Sequence, residues 1–289
     1  MIGGRETMSS NSNKIVGYLG PQGTHSEDVC SHFYPKDQWV FQSYGTIDGC
    51  IRATENGTIT ESIVPIENSL EGSINITLDT LAHEVNLFIT KEIVWPIHNH
   101  LLTKSPDTEI HTIVSHAQPL AQCRHYLAKH YPHAKLEAVV STVEAVRIVA
   151  NGAKNHAAIA NMNASKLYDM TVLAADIQDH PHNCTRFVML GKEPATYVKG
   201  NWKTSIVCKI KGDKPGSLYH LLQELASHHV NLVRIESRPA RTELGEYIFF
   251  MDMEGSIEET NVRTAITALE NKSLWFKNLG SYLICKAKV

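Results

Sequence analysis

The chain carries little net charge of either sign. It sets 27 Lys and Arg against 30 Asp and Glu, a formal charge of -3 over 289 residues. That balance gives no electrostatic ground for nucleic acid or an anionic membrane as partner. No apolar run approaches the ~18 to 20 residues of a membrane span. The first thirteen residues, MIGGRETMSSNSN, contain no apolar stretch. They predict a disordered leader rather than a signal peptide. The six cysteines, Cys30, Cys50, Cys123, Cys184, Cys208 and Cys285, include no C-x-x-C pair. Zinc spacing is therefore missing, and a disulfide framework is not expected in so long a chain. Free thiols in a reducing compartment, hence a soluble cytoplasmic protein, are the expectation.

Apolar residues make up 43% of the chain, enough for a sizeable core, and the length suits two domains. From residue 14 to about 190, strand and helix patterns alternate. Strands are predicted at Lys14–Leu19, Trp39–Ser43, Ser62–Ile66, Thr112–Ser115, Lys135–Val140, Ala157–Ala160 and Arg186–Leu190. Thr24 with Glu27, and Ser141 with Glu144, have capping-box spacing. The alternation predicts α/β architecture with largely parallel sheets. Leu87–Thr103, interrupted at Trp95-Pro96, suits a crossing between two lobes near 93–100, with a return near 176–185. A catalytic region over 14–193 and a linker over 194–203 follow.

Residues 204–289 have another rhythm. Strand Ser205–Ile210 leads into Asp213-Lys214-Pro215-Gly216, where Pro215 suits a helix start. A helix to about Ser227 precedes strands Asn231–Ser237 and Glu246–Met253. Ser256 and Glu259 have the spacing to cap a helix to about Glu270, and a last strand is expected at Tyr282–Lys286. The order βαββαβ is that of a small ferredoxin-like domain.

Three segments place polar groups where predicted strands end, the favoured ligand position in open α/β sheets, and a fourth places a polar cluster just before a predicted strand. GPQGTHSE, from Gly20 to Glu27, pairs a tight turn with a helix start whose N–H groups suit an anion. VPIENSLEGSI, from Val64 to Ile74, offers Glu67, Asn68 and Ser69 in a turn expected to open a helix. SHAQPLAQCR, from Ser115 to Arg124, sets Ser115 and Gln122 toward one crevice. NCTRF, from Asn183 to Phe187, joins a β-branched hydroxyl at Thr185 to the guanidinium of Arg186. Each is also compatible with ordinary turn, cap and core residues. His98-Asn99-His100 and His180-Pro181-His182 pair imidazoles, but spacing fixes no third ligand, so no metal site is expected.

GYLGPQGTHSE, VPIENSLEGSI, SHAQPLAQCR and NCTRF, in this order, resemble the signature blocks of the prephenate dehydratase family. GDKPGSLYHLL and NLVRIESRP, with the βαββαβ order, resemble the regulatory ACT domain. The likeness runs from about residue 14 to 285. With no further N-terminal helical region for a fused chorismate mutase, the chain resembles the monofunctional form. The resemblance implies two α/β lobes like a type-II periplasmic binding protein, followed by the ACT domain. It implies prephenate in the cleft and dehydration with decarboxylation to phenylpyruvate, without cofactor or metal.

By the same resemblance Thr185 is the key catalytic residue, with Glu67, Asn68, Ser115 and Gln122. Arg186, Phe187, Asn183, Gly23, Thr24 and Ser69 would bind substrate. In the expected mechanism Thr185 donates to the leaving hydroxyl, Gln122 and Ser115 add neutral donors, and Arg186 anchors the pyruvyl carboxylate. Glu67 would orient Asn68 or relay a proton. L-Phenylalanine would inhibit by binding where two ACT domains meet, at Gly216, Ser217, Leu218, Asn231, Leu232, Glu236, Ser237, Arg238 and Pro239. A homodimer or homotetramer through the ACT and catalytic domains follows. His25, Ser217 and Leu283 stand where Phe, Ala and Pro are common in the family. The alternatives are the same chemistry on arogenate, or a non-catalytic amino-acid sensor.

Overall fold

The computed structural model describes residues 14–287 apart from 153, 211–214 and 244. The leader over 1–13, and Asp213 and Lys214 of the regulatory turn, lie outside the described residues. The chain opens with β1 (Lys14–Leu19), α1 (His25–Phe33), β2 (Trp39–Tyr44), α2 (Ile47–Glu55) and β3 (Glu61–Asn68). β1 lies parallel between β2 and β3. Val16, Ile63, Val64 and Ile66 on these strands are buried, as a sheet covered on both faces requires. Thr46 caps α2 by accepting the Gly49 N–H at 3.0 Å.

No helix opens directly after β3, contrary to the expectation. Asn68 Oδ1 accepts the N–H groups of Leu70 and Glu71, at 3.0 and 3.2 Å, and curls the chain into a turn. The turn returns through the two-residue β4 (Gly72–Ser73), and only then comes α3 (Asn75–His83). β5 (Phe88–Pro96) re-enters the sheet and the chain crosses to β6 (His100–Thr103) in a second sheet. The second lobe continues with β7 (Thr112–Ser115), α4 (Ala117–Gln122), α5 (Arg124–His130) and β8 (Lys135–Ala138). It ends with α6 (Thr142–Ala150), β9 (His156–Ala160), α7 (Met162–Leu167) and β10 (Thr171–Ala174). Its sheet order is β10-β6-β9-β7-β8. Ser141 caps α6 through the Glu144 N–H at 3.0 Å, as its spacing predicts.

The return crossing delivers β11 (Cys184–Gly191) between β3 and β5, antiparallel to both. In the second lobe β6 is likewise antiparallel to β9 and β10. Both sheets are therefore mixed, not largely parallel. Strands that return from the other lobe arrive without a crossover helix, so nothing reverses them into parallel register.

The C-terminal domain has the expected order: β12 (Trp202–Ile210), α8 (Ser217–Ser227), β13 (Leu232–Pro239), β14 (Tyr247–Glu254), α9 (Thr260–Lys272) and β15 (Ser273–Lys286). β12 takes Trp202 and Lys203 from the expected linker. Ser256 and Glu259 close the turn before α9 instead of capping it: the Ser256 N–H donates to Glu259 Oε1 at 2.8 Å, and the helix starts at Thr260. One face of this sheet packs Ile206, Cys208, Met251 and Met253 against α8 and α9. The other packs Val207, Ile248, Phe250 and Tyr282 into the catalytic core beside Leu78 and Leu81.

β15 is far longer than expected. Its first part pairs with β12, and Leu283–Lys286 then pair in parallel with β5. The two domains thereby share one sheet of order β13-β14-β12-β15-β5-β11-β3-β1-β2. Gly280, at φ 111°, sits beside a register shift in the pairing with β12, ahead of Leu283 where β5 pairing begins. A Cβ there would lie 2.9 Å from the Ile89 carbonyl oxygen, so only glycine fits.

Candidate active site

β3 and β11 bring the site together at their paired ends. Asn68 and Thr185 are directly opposed, as are Glu67 and Arg186 one step along. Opposed residues share a sheet face and successive residues alternate, so Asn68 and Thr185 face one way and Glu67 and Arg186 the other.

On the first face the groups are buried and neutral. Asn68 Nδ2 donates to Thr185 Oγ1 at 2.9 Å, to Asn183 Oδ1 at 3.0 Å and to the Cys184 carbonyl at 3.1 Å. The backbone N–H groups on Asn68 Oδ1 fix the orientation of this amide. Thr185 Oγ1 therefore accepts from Asn68, and its own hydroxyl hydrogen remains available to another acceptor. Asn183 Nδ2 continues the chain to Gln122 Oε1 at 3.2 Å, and Gln122 Nε2 donates to Glu71 Oε1 at 3.3 Å. Asn99, on the first crossing, donates to the same Gln122 oxygen at 3.4 Å. Residues of both lobes and both crossings thus share one network.

Several expected residues are placed otherwise. Arg186 does not face this network. Its Nη1 donates to Asp252 of the C-terminal domain at 2.7 Å, and it lies 3.5 Å from both Glu67 and Glu92. Glu67 is on that same rear face, 3.4 Å from Arg234, and neither orients Asn68 nor reaches it with a proton. Phe187 does share the face of Thr185, but it is buried in the core with Val16, Tyr18 and Val29. Ser115 is fully buried and donates to the Ile159 carbonyl at 2.7 Å, so its proton is spent holding β7 to β9. The anion-binding turn is already occupied: the Gly23 N–H donates to the buried Glu27 at 2.6 Å, and the Thr24 hydroxyl to the Leu19 carbonyl at 3.0 Å. Ser69 is brought in, accepting the Cys184 N–H at 3.0 Å and facing Asn183 Oδ1 at 3.4 Å.

Beside the crossings a cavity of about 390 Å³ lies between the lobes. Its lining includes His25 and Asp28 from α1, Trp95, His98 and His100 from the first crossing, and Asn161 at the start of α7. Trp95 is the register partner of Thr185 on β5. Asn161 Nδ2 donates to Asp28 Oδ2 at 2.9 Å and ties the lobes together. Burial, with the neighbouring Glu27, pushes the Asp28 carboxyl up to about 7, against the Asn161 hydrogen bond. Burial, with His98 and His100, pushes His25 down to about 4. Near neutral pH this wall is a neutral imidazole beside a partly protonated acid. Asn99, Glu71, Trp95, Asp28 and Asn161 were not singled out from the sequence as cleft residues. The signal for Asn99 was its place between two histidines in the crossing segment.

In the C-terminal domain, Gly216, Ser217 and Leu218 line a cavity of about 430 Å³ with Lys209, Tyr247, Phe249 and Leu274. Asn231, Leu232, Ser237 and Pro239 are not among its lining residues. Two of the expected effector residues point into the catalytic domain instead. Glu236 meets Ser73 and Arg234, and Arg238 forks onto Asp79 at 2.8 and 2.9 Å and reaches Asn75 at 2.5 Å. Alternation along β13 turns Leu232, Arg234, Glu236 and Arg238 inward and leaves Val233 and Ile235 exposed.

Among the described residues no helix is long and apolar enough to cross a membrane, and no group of three or more His, Cys, Asp or Glu is arranged to hold a metal ion. The sequence profile of prephenate dehydratase matches residues 16–195, and that of the ACT domain matches 204–271. A prephenate dehydratase of Methanocaldococcus jannaschii is 38% identical over 93% of this chain and 98% of its own length. The structure of an Arthrobacter aurescens prephenate dehydratase in complex with L-Phe superposes with a TM-score of 0.85 at 32% identity, over 93% of this chain and 90% of that one. A protein described as a quorum-quenching acylase, GqqA, superposes with a TM-score of 0.83 at 26% identity, over 94% of this chain and 98% of that one. With the signature blocks converging on one network between two lobes and a profile match covering most of the chain, this protein belongs to the prephenate dehydratase family.

Proposed function

We propose that the chain converts prephenate to phenylpyruvate in the interlobe cleft and is inhibited by L-phenylalanine bound to its ACT domain. The observation that carries this is the Asn68–Thr185 hydrogen bond, in which Asn68 is the donor. It leaves the Thr185 hydroxyl hydrogen for the oxygen leaving the ring. As the carbon–carboxylate bond breaks, its electron pair fills the aromatic ring and the ring carbon–oxygen bond breaks. Carbon dioxide departs, and the oxygen leaves as hydroxide that becomes water on taking a proton. The barrier is the charge gathering on that oxygen, and a fixed hydroxyl donor lowers it. Asn183 and Gln122 extend the support in a chain of oriented amides.

The carboxylate that departs is better left without a strong cation, since gripping its charge stabilises the reactant. No Lys or Arg among the described residues bonds to Asn68, Asn183, Thr185 or Gln122, which suits that demand. Arg186, committed to Asp252, is not assigned to the pyruvyl carboxylate. The partly protonated Asp28 and neutral His25 lessen the repulsion an acidic wall would offer a dianion.

The relatives' names favour prephenate over arogenate, and comparing rates on the two substrates tests that choice. For the effector, Gly216, Ser217 and Leu218 offer one half of a site. The exposed Val233 and Ile235 on edge strand β13 favour completion by Asn231–Pro239 of a second copy, in a homodimer or homotetramer. Thr185→Ala is expected to lower kcat about 10²-fold or more, the scale of a lost general acid. Phenylpyruvate formation from prephenate, with and without phenylalanine, measures both claims. Near-normal turnover in the variant would remove Thr185 from its role.

A further inference from the structure

The rear face of the catalytic strand pair is as charged as the cleft face is neutral. Arg186, Lys203 and Arg234 meet Glu67, Glu92, Asp252 and Glu236 there. Arg186 lies between two carboxylates of its own lobe, both at 3.5 Å, yet makes its one short bond across the domain boundary, to Asp252 at 2.7 Å. Asp252 is itself held. Ser205 donates to its second oxygen at 2.6 Å, and Ser205 is 2.6 Å from the buried Tyr282 hydroxyl. Burial pushes the Asp252 carboxyl up, but Arg186, Ser205 and Arg234 outweigh it and hold the group below its ordinary range. Asp252 is thus a buried, ionised, fully engaged acceptor on β14, an inner strand of the C-terminal sheet.

We propose that Asp252 is a positioning residue for the reaction: by holding Arg186 it fixes the backbone of β11 at Thr185, and so the Asn68–Thr185 hydrogen bond on the opposite face. The proposal rests on the catalytic role given to Thr185 above. The link is short. Arg186 is the residue after Thr185, and its rear-face neighbour Glu67 is the residue before Asn68, so the ion cluster and the hydrogen bond share two backbone positions on each strand. The β3–β11 ladder shifts register between Arg186 and Phe187, with Ile66 as the extra residue on β3, while the β5–β11 ladder runs unbroken there, so the ion cluster reinforces the weaker of the two pairings. Arg234 adds a second tie, 3.4 Å from Glu67 and 4.0 Å from Asp252. The C-terminal domain on this account completes the catalytic domain from behind and is not only an appended sensor.

The test is a double-mutant cycle on the full chain, with kcat and KM for prephenate and thermal melting of each protein. Asp252→Asn and Arg186→Met are each expected to lower kcat by about 10- to 100-fold, the cost of a misplaced catalytic group, with KM within about threefold. The double variant is expected to lose no more than either single one, because the two residues act as a unit. Additive losses, or a kcat per folded molecule unchanged in Asp252→Asn, would overturn the proposal. So would a large rise in KM at normal kcat in Arg186→Met, which would return Arg186 to the substrate. Should Asp252→Asn not fold, Arg234→Gln serves: a smaller fall in kcat at constant KM supports the assignment, and unchanged kcat refutes it. Absence of phenylpyruvate formation by the unaltered protein would instead fault the functional reading itself.

Discussion

The two faces of the β3–β11 pair differ as much as any two regions of the molecule. The cleft face carries amides and a hydroxyl joined in one direction, from Asn68 to Thr185 and through Asn183 to Gln122. The rear face carries guanidinium and carboxylate groups. Both are polar and both are largely buried, but the kinds of polarity are not interchangeable. Neutral donors stabilise charge as it develops and leave the reactant carboxylates alone. Paired charges fix geometry, and truncating one partner leaves the other buried without compensation.

Three substitutions break or sharpen that contrast. The largest effect is expected from putting a charge on the neutral face. Asn68→Asp keeps the size of the side chain but removes the donor to Thr185, and sets a carboxylate against the Asn183 and Cys184 oxygens. A fall in kcat of about 10²- to 10³-fold is expected in a steady-state assay, the range for loss of an oriented donor. A variant within tenfold of normal would mean that the amide does not direct the Thr185 proton.

A middle effect, on stability and not on rate, is expected at the periphery of the charged face. Asp79 accepts from Arg238 and Arg241. Burial pushes its carboxyl up, but the two guanidiniums outweigh that and hold it below its ordinary range. Such a depressed acid stabilises the fold above the unfolded pKa near 3.9 and loses that contribution as pH falls through the folded value. Asp79→Ala is expected to cost about 1–3 kcal/mol in denaturant unfolding at neutral pH, with the loss shrinking toward pH 3. Its kcat should stay within about twofold. A large loss of rate with normal stability would show that the whole rear face, not the Arg186–Asp252 bond, sets the geometry.

The smallest effect is at the interlobe wall. The folded state holds His25 neutral, with a pKa of about 4, while the unfolded chain takes up a proton near 6.5. Stability is therefore lost as pH falls below 6.5. His25→Phe removes this penalty, and the variant should gain on the natural chain at pH 5 relative to pH 7.5. A quarter of the side chain is exposed, so a gain of order 1 kcal/mol is expected, read as a difference in melting temperature at the two pH values. An equal difference at both would mean that His25 is not held neutral.

Element type and order were legible in the sequence because apolar periodicity is local. β1, β7, β9 and the βαββαβ order stand close to where their patterns put them. Strand direction was less legible. β5 and β11 owe their antiparallel pairing to crossings between lobes, which no local pattern encodes. The site shows the same division. Asn68, Thr185, Asn183 and Gln122 do converge, and each lies at or beside one end of a strand or helix. Glu67 and Arg186 were expected beside them because they stand in the same signature blocks, but a period of two sends adjacent strand residues to opposite faces. That rule was available from the sequence alone. The partner that makes use of it, Asp252, lies 66 residues further along the chain, and only the fold brings it to Arg186.

Gly280 lets the last strand pass close against β5 while still paired with β12, so the regulatory sheet and the first lobe form a continuous woven surface. A body joined in that way does not rotate about a flexible tether. Strain arriving from the effector pocket would travel as a change in twist across neighbouring strands, and β11, which carries Thr185, lies one strand beyond the seam, next to β5. The second lobe shares no strand ladder with that sheet and is held to it by its two crossings and by side-chain bonds such as Asn161 to Asp28 and Gln122 to Glu71, so opening the cleft means breaking those bonds.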